Sequence, residues 1–186
     1  MNSKIIIVFI IISNLFLVFL WSKDRLDRNL WVHILDVDQG DAILVRFPDR
    51  RIMLIDGGPG DYVLSRLGDV LPPWVRRIDI LVLTHPHADH LNGLLDVLER
   101  YRVKSFVFNF SCYEAQEYEN LLEKISEERI PVVEIGSMNT ENSIYSIDQG
   151  GVTIHFLVSD GASGGDYILY LNNGSEPMRG VITIIR

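Results

Sequence analysis

LTHPHADHLNG, Leu83 to Gly93, gathers three of the chain's five histidines and one aspartate into positions 85–90. Directly before the cluster runs IDILVLT, Ile78 to Thr84, a near-continuous apolar stretch of strand length, the signature of a strand buried on both faces. Directly after it, Leu91, Leu94, Leu95, Leu98 and Tyr101 recur at helical spacing. A strand therefore delivers its carboxyl end to the cluster, and a helix begins inside it.

At the end of an extended strand His85 and His87 stand two apart and project to the same side, so both imidazoles can reach one cation. Asp89 and His90 fall where the chain curls into the helix and offer a carboxylate and a third imidazole to a second cation. Imidazole with carboxylate suits zinc first, with manganese or iron as further choices. Simple N-cap decoration of a strand-to-helix loop would account for Asp89 but not for three histidines. Two cations a few ångströms apart make a nucleophile from water at neutral pH and stabilise the oxyanion that develops, which is a hydrolase's arrangement.

Working outward, WVHILDV, DAILVRF and RIMLID are short β-rich runs separated by DQG and PDR, which reads as an antiparallel meander. GGPGDYVLSRLGDVLPPW supplies a glycine turn, a short helix with Val63, Leu67 and Val70 on one face, and a proline stop. Past the cluster come a strand in VKSFVFN, an amphipathic helix from about Tyr113 to Arg129 with Tyr118, Leu121, Leu122 and Ile125 inward, and the strand VVEI opened by Pro131. SIYSID, GVTIHFLV, DYILYL and GVITIIR are β-like. Alternating strands and helices that give way to strands imply a layered α/β (α+β) domain.

The chain has 186 residues and a 47% hydrophobic content, which suits one domain with an appendage. Its net charge of −8 is uneven, since residues 1–109 carry 13 basic against 13 acidic groups and residues 110–186 carry 4 against 12. That argues against a general nucleic-acid coat and leaves room for a local basic patch at Arg46, Arg50 and Arg51, which otherwise decorate a solvated hairpin. A single cysteine, Cys112, excludes an internal disulfide framework and a cysteine-rich zinc module.

Residues 1–29 stand apart. Ile5 to Trp21 is IIIVFIIISNLFLVFLW, uncharged and polar only at Ser13 and Asn14; as a helix it spans ~26 Å at ~1.5 Å per residue. No small-x-small cleavage signal follows, so the segment is expected to be an uncleaved single-pass transmembrane anchor with a juxtamembrane linker. Lys4 stands on one side and Lys23, Arg25 and Arg28 on the other; this charge balance mildly favours a cytoplasmic domain.

THPHADH resembles the signature of the metallo-β-lactamase superfamily, and RIMLIDGG resembles its other early landmark, in which Asp56, with Gly57 and Gly58, would brace the metal loop. More narrowly, HILDVDQGDAILVRFP, LIDGG, VLPPWVRRIDILVLTHPHADHLNGL and VLERY are similar to the metallo-hydrolase domain of ComEC-type competence proteins, from about Val32 to Tyr101. The resemblance implies an αββα sandwich over residues 30–186, with the site at the edge of two packed sheets. It makes His85 and His87 ligands of a first metal and Asp89 and His90 ligands of a second, with Asp89 also the catalytic residue that orients the attacking water. It implies two divalent ions, zinc foremost and manganese next, single-stranded DNA as partner and phosphodiesters as substrates. It also implies a cell-membrane protein with an extracytoplasmic soluble domain.

Two departures stand against the family pattern. The usual glycine of DVGQGD is Asp38, a residue type that tolerates φ > 0; Asp36 and Asp41 beside it are expected either to line the site or to form turns. The LLTGD-like and HHGS-like motifs that complete the family's site do not occur before Arg186. His155 reads as a strand residue, Asp160 and Asp166 are weaker candidates still, and His33 reads as a structural strand histidine. The expectation is then mainly the N-terminal half of the sandwich, incomplete at the C-terminus, with GVITIIR left as an open strand. A non-catalytic remnant with weak metal or partner binding, and a β-lactam or thioester hydrolase, stand as alternatives.

Overall fold

The strand expected before the histidine cluster is Ile80–Leu83, with all four side chains buried, and parallel strands flank it on both sides. In the computed structural model the described residues are 3–26, 29–109, 115–135, 144–149, 152–158, 167–172 and 180–185, with side chains over 4–19, 29–108 and 115–133. Cys112, Asp160 and Asp166 lie outside them, and of His155 only the strand placement is described.

In chain order the elements begin with helix α1 (Ser3–Leu26) and strands β1 (Leu30–Leu35), β2 (Ile43–Arg46) and β3 (Ile52–Ile55). Then come α2 (Tyr62–Val70), β4 (Arg77–Ile78), β5 (Ile80–Leu83), α3 (Ala88–Arg100), β6 (Arg102–Val103) and β7 (Phe106–Asn109). The remainder is α4 (Gln116–Glu127), β8 (Val132–Ile135), β9 (Ile144–Gln149), β10 (Val152–Val158), β11 (Tyr167–Asn172) and β12 (Gly180–Ile185). Among the described residues they form a seven-stranded sheet in the order β12-β1-β2-β3-β5-β7-β8, a three-stranded sheet β11-β10-β9 and the short pair β4-β6.

The meander β1-β2-β3 is antiparallel, as the turn chemistry of DQG and PDR demands. From β3 onward every pairing in the large sheet is parallel, because α2, α3 and α4 each carry the chain back between successive strands. Of GVITIIR, expected as an open strand, Gly180–Ile185 pairs in parallel along the whole of β1, from Leu30 opposite Gly180 to Leu35 opposite Ile185, and forms the end strand of the large sheet.

Period-two alternation sorts the sheet residues onto two faces. Leu35, Leu44, Leu54, Leu81, Leu83 and Phe106 pack against the apolar stripes of the three helices, from Val63 and Leu67 to Leu91, Leu94 and Leu121. Val45, Phe47, Met53, Ile55, Ile80 and Val82 form a second buried cluster. Each fully buried leucine contributes about 1.5–3 kcal/mol, so this two-sided burial fixes the strand register.

From Ile5 to Phe19 the side chains of α1 are apolar except for Ser13 and Asn14, and these apolar side chains are exposed, Phe9 by 72%. The expected transmembrane helix needs correction, for among the described residues no helix is long and apolar enough to cross a membrane. The apolar side chains described from Ile5 to Phe19 cover ~22 Å of helix at ~1.5 Å per residue, against a hydrocarbon core of ~30 Å.

Candidate metal centre

β3 and β5 are neighbouring parallel strands, with Ile55 opposite Val82, so the segments leaving their carboxyl ends emerge side by side. One carries Asp56-Gly57-Gly58 and the other Thr84-His85-Pro86-His87. A crevice at the carboxyl ends of adjacent parallel strands is where open α/β sheets gather their ligands.

Asp56 is the post between these segments. Its buried carboxylate accepts from the Thr84 backbone N–H at 2.9 Å, from the Thr84 hydroxyl at 2.6 Å, and stands 2.9 Å from His90 Nδ1. The residue sits at φ 56°, a left-handed conformation that a short polar side chain tolerates when its hydrogen bonds over-determine it.

Since the Thr84 hydroxyl proton is committed to Asp56, the 3.0 Å contact between Thr84 Oγ1 and His85 Nδ1 requires His85 to donate from Nδ1. His90 likewise donates from Nδ1 to Asp56. In the neutral form of both rings Nε2 is then the lone-pair nitrogen, the tautomer that a partner on the other nitrogen fixes in metal-binding histidines.

The three imidazoles are gathered closely. His85 and His87 meet edge to face at 4.7 Å between ring centroids, and His85 and His90 lie 3.8 Å apart with planes inclined by 49°. Asp89, in the first turn of α3, places Oδ2 3.8 Å from His90 Nε2. Burial and the neighbouring His90 and His87 lower the pKa of His85 below its ordinary value. Burial would lower His90 too, yet its hydrogen bond to Asp56 and the charges of Asp56, Asp89 and Asp41 outweigh that and raise it.

The donor chemistry and the fixed tautomers fit divalent ions. As placed, though, no three histidine, cysteine or acidic side chains among the described residues form a group that could hold a metal ion. The two-metal site expected of His85, His87, Asp89 and His90 is thus not formed in this arrangement, in which His85 meets His87 edge to face and His90 at a tilt.

Glycines make the close approaches around this loop possible. Gly57 N–H donates to the His90 carbonyl at 2.8 Å and Gly93 N–H to the Gly58 carbonyl at 3.0 Å; a Cβ on Gly93 would lie 1.9 Å from Gly57 O. Gly40, at φ 73°, has no room either, since its Cβ would fall 1.8 Å from the Asp89 carbonyl. Asp38 adopts φ 76°, which is the demand that a glycine in DVGQGD would meet.

The two aspartates expected near the site part company. Asp41 hydrogen-bonds Gly58 N–H through its carbonyl at 3.1 Å, and its charge acts on His90. Asp36 turns instead to α2, where Arg66 Nε donates to its carbonyl at 2.8 Å and the guanidinium stands 3.8 Å from its carboxylate. His33 is buried on β1, stacked on Trp31 at 6.0 Å, with no hydrogen-bond partner for either ring nitrogen among the described residues.

Sequence reasoning did not assign Thr84, Gly40 or Gly93 to the site. Thr84 was visible as the first residue after the strand; the two glycines had no local signal, because the backbone each one touches is distant in sequence.

Residues 35–175 match the family model described as Metallo-beta-lactamase superfamily. No curated protein matches the chain. Solved structures similar to it include a HARLDQ-motif mutant of a metallo-beta-lactamase from Cronobacter sakazakii (Enterobacter sakazakii), at 15% identity and a TM-score of 0.46. That match covers 74% of this chain and 55% of the solved one, so the chain spans little more than half that relative's length.

Proposed function

The chain belongs to the metallo-β-lactamase superfamily, a hydrolase-type domain whose members bind divalent metals, and from that premise we propose a ComEC-like phosphodiesterase that cleaves single-stranded DNA. The observation that carries the reading is the cluster of His85, His87, Asp89 and His90 at the carboxyl end of β5, with Asp56 holding the tautomer of His90 and, through Thr84, that of His85.

In this reading His85 and His87 hold a first ion and Asp89 and His90 a second, zinc foremost and manganese next. Bound there, such ions supply Lewis-acid activation of water and of a phosphoryl oxygen. Asp89, about half exposed, faces the crevice and can orient the attacking water and take its proton. Asp56 keeps Nε2 of His90 available as a donor to the metal, while Gly40 lets the β1–β2 turn lie against Asp89 without displacing it.

We further propose that α1 anchors the chain at the surface of the cell membrane without crossing it, with the rest of the chain on the extracytoplasmic side. From Ile5 to Phe19 its exposed side chains are apolar except for Ser13 and Asn14, and such a surface is stable only when removed from water.

The test is cleavage of a labelled single-stranded oligonucleotide by the full chain. Activity that chelation removes, that zinc or manganese restores and that His87→Ala abolishes supports the reading; equal activity in metal-free protein sinks it. A second reading, a non-catalytic domain that binds metal or a partner weakly, is favoured by the lack of a converged three-ligand group among the described residues. Metal binding without turnover of DNA, or of a chromogenic β-lactam, would select it.

A further inference from the structure

The pole of the sheet opposite the metal loop is basic. The strand ends that begin β3, β5 and β7 bring together Arg46, Arg50, Arg76, Arg77, Arg102 and Lys104, against the acidic side chains of Asp49 and Asp79. Arg46, Arg50, Arg76 and Arg77 line a cavity of about 390 Å³ together with Asp49 and Trp74, whose indole is 57% exposed.

The cluster is partly held in place. Asp79, buried at the start of β5, stands 3.0 Å from Arg77 and 2.9 Å from Lys104 and accepts from the Ile52 N–H. Arg50 and Arg76 have no ion-pair partner among the described residues, and Arg50 occupies a φ of 69° that places it at the tip of the β2–β3 turn. Two uncompensated guanidinium groups and an exposed indole beside a cavity are groups that meet phosphate and an interfacial layer.

The same pole is where α1 joins the sheet. Trp31 lies opposite Arg46 in the β1–β2 register, and four Cα steps separate Leu26, the last residue of α1, from Leu30. Four steps reach at most ~14–15 Å, whatever path the connection takes. The metal loop lies at the other end of strands β3 and β5, ~13 Å farther along at ~3.3 Å per residue.

We propose that this pole is a binding face for anionic phospholipid headgroups. It rests on the reading of α1 as a membrane anchor: α1 brings the pole to the bilayer, the arginines engage lipid phosphates and Trp74 sits among the headgroups. The metal loop is thereby turned away from the membrane, toward soluble substrate.

The test uses the full chain with vesicles of phosphatidylcholine alone or mixed with phosphatidylserine, and takes the Trp74 fluorescence as the difference from Trp74→Phe. Only the phosphatidylserine vesicles should shield Trp74 from acrylamide, by roughly twofold at low salt, and bromine-labelled lipid should quench it there. Arg50→Ser/Arg76→Ser should lose both effects and Arg50→Lys/Arg76→Lys should keep them, each with a wild-type unfolding midpoint. All variants should still float with both vesicle types. Flotation with Trp74 equally accessible in both lipids overturns this proposal alone, whereas failure to float with phosphatidylcholine overturns the anchor reading and this one with it. Shielding by a single-stranded oligonucleotide that anionic vesicles do not reproduce reassigns the face to nucleic acid and overturns it as well.

Discussion

Asp56 Oδ2 lies 2.9 Å from His90 Nδ1, although 34 positions separate the two residues. The contact joins the carboxyl end of β3 to the first turn of α3 and decides which nitrogen of His90 faces the crevice. Asp56→Ala leaves Thr84 N–H, the Thr84 hydroxyl and His90 without their shared acceptor, and should cost about 3 kcal/mol of stability. Zinc affinity should fall by about 10- to 100-fold. Denaturant unfolding and metal titration on the same samples check both; unchanged affinity in folded Asp56→Ala would remove Asp56 from the site.

Gly93 and Gly68 both lie in helices but have opposite surroundings. A Cβ on Gly93 would press to 1.9 Å from Gly57 O, whereas one on Gly68 in α2 meets nothing within 4 Å. Gly93→Ala should destabilise by at least ~2 kcal/mol through forced separation of α3 from β3. Gly68→Ala should stabilise by ~0.5–1 kcal/mol, as alanine replaces an exposed helical glycine. Unfolding midpoints that move together in one direction would contradict the packing described.

His33 gives a pH dependence of defined sign. Burial and then the charge of Arg46 lower its pKa below the ordinary 6.5, so the folded state holds it neutral. Its contribution is fully present above about 6.5 and is lost as pH falls toward the lowered folded value, because only the unfolded chain then binds the proton readily. His90, raised, contributes with the opposite sign in metal-free protein. The measurement is therefore a difference: between about pH 7.5 and pH 5.5 the urea midpoint of wild type should fall more than that of His33→Leu. A steeper fall in His33→Leu would refute the assignment.

Asp79 should matter more than either of its cations. It is 4% exposed and accepts from Ile52 N–H, while Arg77 and Lys104 are about half exposed. Asp79→Ala should cost about 2 kcal/mol and Lys104→Ala less than ~1 kcal/mol. Thermal unfolding of the two variants checks the ratio.

Much of the layout was legible because its signals are local. The run Ile80–Leu83, the leucines of α3 at helical spacing and the DQG and PDR turns each declare one element through backbone preference and periodicity. Asp38 at φ 76° was legible for the same reason, since few residue types tolerate that conformation. Asp36 was not: whether a strand-end aspartate faces the crevice or Arg66 depends on how α2 packs, and Arg66 lies 30 residues away. The extended pairing of β12 with β1 was equally hidden, because a parallel partner across some 150 residues leaves no trace in either strand.

By itself the sequence determined the alternation of elements, the apolar faces that drive their packing and the four metal-type side chains within one six-residue loop. Only the tertiary structure decided which nitrogens His85 and His90 present, that Thr84 links Asp56 to His85, and that the arginines share a pole with the end of α1. Side-chain type and local periodicity are properties of neighbours in the chain; tautomer, hydrogen-bond partner and polarity of a surface arise between residues that meet only when parallel strands align.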